Sequence, residues 1–376
     1  MIMRLCPARL AGCVTVPDSK SAWHRALICR FLAGQPLPER LSGDDVNATL
    51  AGLRVLARGG GEINCGASGT TLRFLLPLAM ALGRAGTRFT GTPRLLDRPL
   101  SAPYPVMRDG AGCRITEPLT PGRYALRGDE TSQTVSGLLL ALPLLSAPSE
   151  IELTTPLVSR PYVDMTLDAL RRHGVTIQPT ETGWYIPAPQ RFLPNEDPVE
   201  GDWSAGSWWL AVSALQGGGI TVAGLSADSC QADRAIARYL AYLPETVDVS
   251  QTPDLLPTLA LLAAMTPRTT RFTGGAFLRR KESDRLRAVA DVLSALGAEV
   301  AGRPDGLIVT GGSGLAGGVT MDAFGDHRIA MLCACAALFC REAVVLRGGE
   351  CVSKSYEKFW RDYAALGGKA EVLMES

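Results

Sequence analysis

Arg279-Arg280-Lys281-Glu282-Ser283-Asp284-Arg285-Leu286-Arg287 carries seven charged side chains in nine positions, five of them positive, within a largely apolar chain. Leu286, Val289, Val292, Leu293 and Leu296 follow at helical spacing and Gly297 stops the run, so a helix begins here with Ser283 or Asp284 as its N-cap. Lys281 and Glu282 then stand at a helix mouth, where unpaired N–H groups and partial positive charge favour an anion. With Lys281 and Arg285 beside it, such a mouth suits a phosphate or a carboxylate, and Glu282 among these cations needs a use of its own. A charge run alone is more often a solvated helix start. The rest of the chain weighs against that reading.

Six times a short polar phrase precedes a short Ala/Leu-rich helix. Lys20-Ser21-Ala22-Trp23-His24-Arg25 stands before 26–33, Asn64 to Thr70 before 72–82, and Thr131-Ser132-Gln133 before a helix running to 142. Asp202-Trp203-Ser204 opens a helix to 215, Asp254 precedes 255–265, and Asp326-His327-Arg328 precedes 329–339. These helices are apolar almost all round and are therefore expected to be buried, with the polar chemistry at their openings. Six aligned mouths would form one strongly anion-attracting cleft.

Between them lie strands and a second, amphipathic class of helix. The pattern predicts a surface helix over 164–173 with a strand at Val175-Thr176-Ile177, another over 289–296 before Ala298-Glu299-Val300, and a third over 104–108 before a strand at 112–115. The chain thus reads as a repeat of strand and helix units, each with one buried and one surface helix. The spacing is uneven, and the first and fourth units are short by about a hairpin each, near 59–63 and 226–250. Four prolines between Pro187 and Pro198 mark an extended connector and a domain boundary.

Composition bounds the function. The chain has 376 residues, 46% hydrophobic content, 20% charge and a net charge of +1, which fits a globular protein of about two domains. A pI of about 7.5 and the absence of a basic stripe argue against nucleic acid, so the clustered cations should serve small anions. No apolar run approaches the roughly 18 residues of a membrane span, and Met1 to Leu10 lacks a signal-peptide core, so no membrane partner and a cytoplasmic setting are expected. Ten scattered cysteines, several in runs such as Leu332-Cys333-Ala334-Cys335-Ala336, read as reduced core residues. His24, His173 and His327 lack metal-ligand spacing, so no metal is expected.

Pro17-Asp18-Ser19-Lys20-Ser21 with His24-Arg25, Gly69-Thr70 with Arg73, Asp97-Arg98-Pro99-Leu100, Ser159-Arg160-Pro161-Tyr162, Lys281-Glu282-Ser283-Asp284-Arg285, Asp326-His327-Arg328 and Lys354 occur in that order. Together they resemble the 5-enolpyruvylshikimate-3-phosphate synthase family nearly end to end. The resemblance implies an α/β fold, a two-domain inside-out α/β barrel of pseudo-threefold repeats whose buried parallel helices point their N-termini at the interdomain cleft. It places one domain at 18–199 and the other at 1–17 plus 200–376. The implied reaction moves the enolpyruvyl group of phosphoenolpyruvate to the 5-hydroxyl of shikimate-3-phosphate, a step of aromatic amino-acid biosynthesis, with no cofactor and in a monomer.

Matched position by position, Lys20, Arg98, Gln133, Arg285, Arg328 and Lys354 would bind phosphoenolpyruvate, with the Gly69 backbone near its phosphate. Ser21, Arg25, Thr131, Ser132, Ser159, Tyr162 and Lys281 would hold shikimate-3-phosphate. Asp254 falls at the base position and Glu282 at the proton-donor position, with Lys20 and His327 as partners in proton traffic. Phe277 stands where the family usually has a polar side chain for the sugar-like ring, Ala67 replaces a common Asn, and Thr131 replaces Ser. Two other readings compete. UDP-N-acetylglucosamine enolpyruvyl transferases share the fold but use a reactive loop cysteine, for which Cys113 is the nearest candidate, although its surroundings read as a strand. An inactive paralogue would keep the anion cleft and lose turnover with the shortened units and the Phe277 contact.

Overall fold

A strand, a buried helix, a second strand parallel to the first, an outer helix and an antiparallel hairpin make the repeating unit of this chain. The computed structural model describes residues 1–102 and 104–375. Strands β1 (Ile2–Cys6) and β2 (Gly12–Thr15) belong to a unit formed by Met1–Asp18 and the chain from Glu200 onward, while Ser19–Val199 forms the other.

In the Ser19–Val199 unit, helices α1 (Lys20–Leu32) and α2 (Asp44–Ala57) follow each other with no strand between them. The first full repeat then runs β3 (Glu62–Asn64), α3 (Gly69–Ala81), β4 (Arg88–Thr90), the one-turn α4 (Pro93–Leu96), and the hairpin β5 (Val106–Arg108) and β6 (Gly112–Ile115). The second runs β7 (Arg123–Leu126), α5 (Ser132–Ala141), β8 (Ser149–Leu153), α6 (Arg160–Arg172), β9 (Gln178–Pro179) and β10 (Gly183–Ile186). Both sheets share one order, β3-β4-β6-β5 and β7-β8-β10-β9, with the first pair parallel and the rest antiparallel. Parallel neighbours need a crossover, and the buried helix supplies it.

The other unit continues with α7 (Trp203–Leu215), β11 (Ile220–Ala223), α8 (Ile236–Ala241), β12 (Thr246–Asp248), α9 (Leu256–Met265), β13 (Thr269–Thr273), α10 (Arg285–Ala295), β14 (Glu299–Arg303) and β15 (Gly306–Thr310). It ends with β16 (Thr320–Asp322), α11 (His327–Ala337), β17 (Val344–Arg347), α12 (Phe359–Ala365) and β18 (Lys369–Met374). The order β12-β13-β15-β14 repeats the rule, and in β16-β17-β1-β18 the N-terminal strand takes the remaining place. Strands β2 and β11 form only a parallel pair.

Both irregular repeats lack the hairpin, and the first also lacks the strand between its two helices. After α2 the chain turns through Gly59, Gly60 and Gly61, all at positive φ, straight into β3, and only glycine makes that turn without strain. After α8 it passes from Tyr242 directly into β12. The helices of the truncated repeats are the less covered ones. Almost every residue of α3, α5, α9 and α11 is buried, whereas Trp23, Arg30 and Phe31 of α1 are only half-buried and Ala214 of α7 is exposed. Among the described residues no helix is long and apolar enough to cross a membrane.

Three local expectations fail. Residues 104–108 form no helix: β5 pairs with β6 across a turn at 109–111, because five residues before Gly110 are too few for a stable helix and a hairpin satisfies their backbone. No strand forms at Val175-Thr176-Ile177, where the Gln190 side chain accepts from Thr176 N at 2.8 Å and donates to its carbonyl at 2.9 Å. The phrase from Lys20 to Arg25 does not precede its helix; Ser19 caps it, and those residues are its first turns. The connector after β10 has no regular structure, yet it is pinned by the Gln190 bonds and by Asn195 on Gln35.

Helices α3 and α5 pack so closely that a Cβ on Gly137 would lie 2.1 Å from the Arg73 carbonyl oxygen, a backbone atom that cannot swing away. Gly137→Ala is therefore expected to destabilise the protein by about 1–3 kcal/mol or more, and so to lower Tm by about 2–4 °C per kcal/mol. A thermal melt indistinguishable from the parent would show that the two helices separate at little cost.

Candidate active site

In the unit that contains α7 to α12, one guanidinium gathers the chemistry. Asp284 caps α10 by accepting from Arg287 N at 3.1 Å, which fixes Arg285 as the first helical residue, and its side chain is only 1% exposed. Arg285 donates Nη1 to Asp254 Oδ1 at 2.8 Å, Nη2 to Glu282 Oε2 at 2.9 Å and Nε to Asp326 Oδ2 at 3.1 Å. Three carboxylates from three chain segments thus share one planar cation, as a forked donor permits. Ser283 also donates its hydroxyl to Asp326 Oδ2 at 3.1 Å, and Asp326 caps α11 by accepting from Arg328 N at 3.0 Å.

Asp254 lies in a short 3-10 turn before α9. Its other oxygen accepts from Arg328 Nη2 at 2.7 Å. Burial alone would push this carboxyl up, but the charges of Arg328, Arg285 and Lys281 together hold it well below the usual carboxylate range. Glu282 Oε1 lies 3.6 Å from Lys354 Nζ. The Lys281 ammonium stands 5.6 Å from the centroid of the Phe277 ring, so Phe277 offers an aromatic face to a cation. His327 is buried, with Nδ1 3.7 Å from Asp326 Oδ1. Asp254, Glu282, Arg285, Arg328 and Lys354 are thus one network; Lys281 reaches it through its charge, and His327 stands behind Asp326.

The Ser19–Val199 unit holds the remaining candidates in two groups. Around Arg73, Nη1 donates to Gln133 Oε1 at 3.2 Å and Nη2 to the Pro99 carbonyl at 2.7 Å, while Gln133 Nε2 donates to Thr70 Oγ1 at 3.0 Å. Arg98 joins them over Gly69: a Cβ there would sit 2.8 Å from both Arg73 Nη1 and Arg98 Nη1. The mouth of α3 is thus lined by two guanidiniums that a side chain at position 69 would displace. Thr131 caps α5 by accepting from Gln133 N at 3.3 Å, and Ser132 beside it is buried.

The second group centres on Arg25, whose Nε donates to Thr166 Oγ1 at 2.8 Å, Nη1 to the Ser21 carbonyl at 2.6 Å and Nη2 to the Tyr162 carbonyl at 2.5 Å. Ser159 is buried in the left-handed region at φ 56°, and its carbonyl accepts from Tyr162 N at 3.1 Å. Lys20 forms an ion pair with Asp45 at 2.9 Å.

Arg73, Asp45 and Asp326 are the polar residues of these groups that sequence reasoning left without a role. Arg73 and Asp326 stood inside quoted phrases, so the signal was present, whereas Asp45 meets Lys20 only through the packing of α1 on α2. Cys113 is buried in β6, and burial raises its thiol above the ordinary value, which leaves it a poor nucleophile.

A sequence profile for EPSP synthase (3-phosphoshikimate 1-carboxyvinyltransferase) matches residues 57–243 and 238–363. A 3-phosphoshikimate 1-carboxyvinyltransferase of Clostridium kluyveri is 39% identical over an alignment of 416 positions that takes in 97% of each chain. One from Methanocorpusculum labreanum is 34% identical over 412 positions, covering 96% of this chain and 97% of its own. Both alignments are longer than this chain's 376 residues, so the relatives carry segments this chain lacks. Among solved structures, EPSP synthase from Acinetobacter baumannii superposes with a TM-score of 0.76 at 21% identity over 100% of both chains. The enolpyruvyl transferase NikO from Streptomyces tendae gives 0.73 at 18% identity over 98% of each. These two likenesses establish the inside-out α/β fold; the matches to the profile and to the curated relatives establish that the chain belongs to the EPSP synthase (3-phosphoshikimate 1-carboxyvinyltransferase) family.

Proposed function

We propose that this chain transfers the enolpyruvyl group of phosphoenolpyruvate to the 5-hydroxyl of shikimate-3-phosphate and releases phosphate, as a cytoplasmic monomer. The observation that carries the residue roles is the Asp254–Arg285–Glu282 bridge, two carboxylates from separate segments held on one buried guanidinium. Addition forms the bond from the acceptor oxygen to C2 of the donor, moves the hydroxyl proton to a base and delivers a proton to C3. Elimination takes a proton back from C3 and breaks the C2–O bond to phosphate. One group must accept and another must donate, and Asp254 and Glu282 take these roles.

The electrostatics give the base its timing. Asp254 is ionised at neutral pH but weakly basic while Arg328 and Lys281 face it. An anionic substrate that engages those cations weakens their hold and raises the basicity of Asp254 when a proton has to be taken. Arg328 and Lys354 then grip phosphoenolpyruvate together with Lys20, Arg98 and Gln133, and the Gly69 backbone approaches its phosphate. Arg285, whose guanidinium is engaged by three carboxylates, orients the acid and the base and adds its charge. Ser21, Arg25, Thr131, Ser132, Ser159, Tyr162 and Lys281 hold shikimate-3-phosphate, Lys20 and His327 assist proton traffic, and no cofactor takes part. The Ser19–Val199 unit supplies acceptor and donor contacts, and the other unit supplies the catalytic carboxylates.

A phosphate-release assay with phosphoenolpyruvate and either shikimate-3-phosphate or UDP-N-acetylglucosamine tests the whole reading. Release with the first acceptor alone is expected, and release only with the nucleotide sugar, or with neither, overturns it. Asp254→Asn and Glu282→Gln should each lose at least about a hundredfold in kcat with modest changes in KM, as removal of a general acid or base typically does; near-parental turnover of either would remove that residue from its role. Gly69→Ala pushes its new methyl group against the Arg73 and Arg98 guanidiniums, so KM for phosphoenolpyruvate should rise much more than KM for shikimate-3-phosphate. Equal changes in both would mean that this helix mouth does not face the donor. Arg328→Ala should likewise raise KM for phosphoenolpyruvate selectively.

A further inference from the structure

Asp233 stands in none of the phrases that open the buried helices, yet it is only 1% exposed and lies beside the catalytic network. It sits in a short 3-10 turn, Ala232–Ala235, in the repeat that lost its hairpin. Oδ2 accepts a hydrogen bond from the Ser204 hydroxyl in the first turn of α7, and Oδ1 has no hydrogen-bond partner among the described residues. An ionised carboxylate is costly to bury with one oxygen unsatisfied, and a neutral carboxyl much less so.

The charged groups around it sharpen the conflict. The negative charges of Asp202 at the start of α7 and Asp254 before α9 act on it, and the positive charge of Arg328 in the first turn of α11 acts against them. On its own turn Arg234 is directed to the Ala227 carbonyl, and Arg238 of α8 donates to the Tyr239 hydroxyl. Burial first, then the charge of Asp254, push the Asp233 carboxyl up to about 7, with Arg328 acting against them.

We propose that Asp233 is a positioning residue for the donor anion: uncharged, it leaves the Arg328 guanidinium to the incoming phosphate or carboxylate, and ionised, it competes for that same guanidinium. This rests on the reading of Arg328 as a donor ligand. Linkage then runs both ways. An anion that engages Arg328 weakens the positive charge that favours ionised Asp233, so binding draws a proton from solvent onto Asp233, and the donor binds more tightly below neutrality than above it.

The test uses the full chain with phosphoenolpyruvate at saturating shikimate-3-phosphate, comparing the parent, Asp233→Asn and Ser204→Ala between pH 6 and pH 9. Titration of the substrate's own phosphate is common to all three and cancels in the comparison. Across neutrality the donor KM of the parent should rise by about fivefold more than that of Asp233→Asn, the lower end of ordinary coupling between linked sites. Ser204→Ala removes a hydrogen bond that steadies the ionised form, so its rise should move to higher pH. Coincident curves for the parent and Asp233→Asn overturn the proposal.

A second readout needs no substrate. A buried carboxyl that keeps its proton to about pH 7 loses stability relative to its amide variant as pH rises from the unfolded carboxylate's range to that point. The Tm advantage of Asp233→Asn should therefore widen from pH 5 to pH 8, and a constant difference overturns the proposal. An unchanged donor KM in Arg328→Ala would instead strike the donor-site reading, whatever the melts show.

Discussion

Arg285 is the charge on which the unit that contains α7 to α12 turns. Its guanidinium is almost wholly removed from water, which would be prohibitive for an isolated cation, and the carboxylates of Asp254, Glu282 and Asp326 offset that cost. The arrangement binds three distant parts of the chain: the turn before α9, the segment before α10 and the cap of α11. Losing one carboxylate would leave neighbouring charge unbalanced in a dry site, so the three acids are constrained together. Position and electrostatics are consequently inseparable here. The geometry that orients Asp254 also depresses its proton affinity.

The fold places these groups by a simple rule. Helices α3, α5, α9 and α11 each enter at a polar end, carried there by a preceding strand and returned by a parallel one, so the residues at successive helix starts collect at one end of a unit. Helix capping and the buried ion-pair network then share residues. Asp326 caps α11 and still binds Arg285. Asp254, in the turn before α9, binds two arginines. Loss of a hairpin from a repeat removes outer sheet and leaves the helix start untouched, which is why α1 and α7 keep their polar openings.

Much of this was legible in the chain because caps and apolar periodicity are local signals. The starts of α5, α7, α10 and α11 follow from Thr131, Asp202, Asp284 and Asp326, and the truncations from uneven spacing. Where the outcome depends on partners far along the sequence, local reading fails. Residues 104–108 are a strand because β6 is there to pair with them, and Val175 to Ile177 are kept from a ladder by the Gln190 side chain. The same limit governs the site. Arg285 was visible as a cation but not as the shared partner of three acids, and Asp45 and Asp233 carry no motif, only neighbours brought by folding.

The strand order β16-β17-β1-β18 has a consequence for how this chain comes to be folded at all. The place that a local hairpin strand fills elsewhere is taken by residues 2–6, paired on both sides with strands from the far end of the sequence. During synthesis Ser19–Val199 can collapse on contacts of its own, while β1 waits in an unfinished sheet until residues 369–374 have left the ribosome. The half of the molecule that carries Arg285 therefore completes last, through pairings of the greatest sequence separation and the highest loop-closure cost.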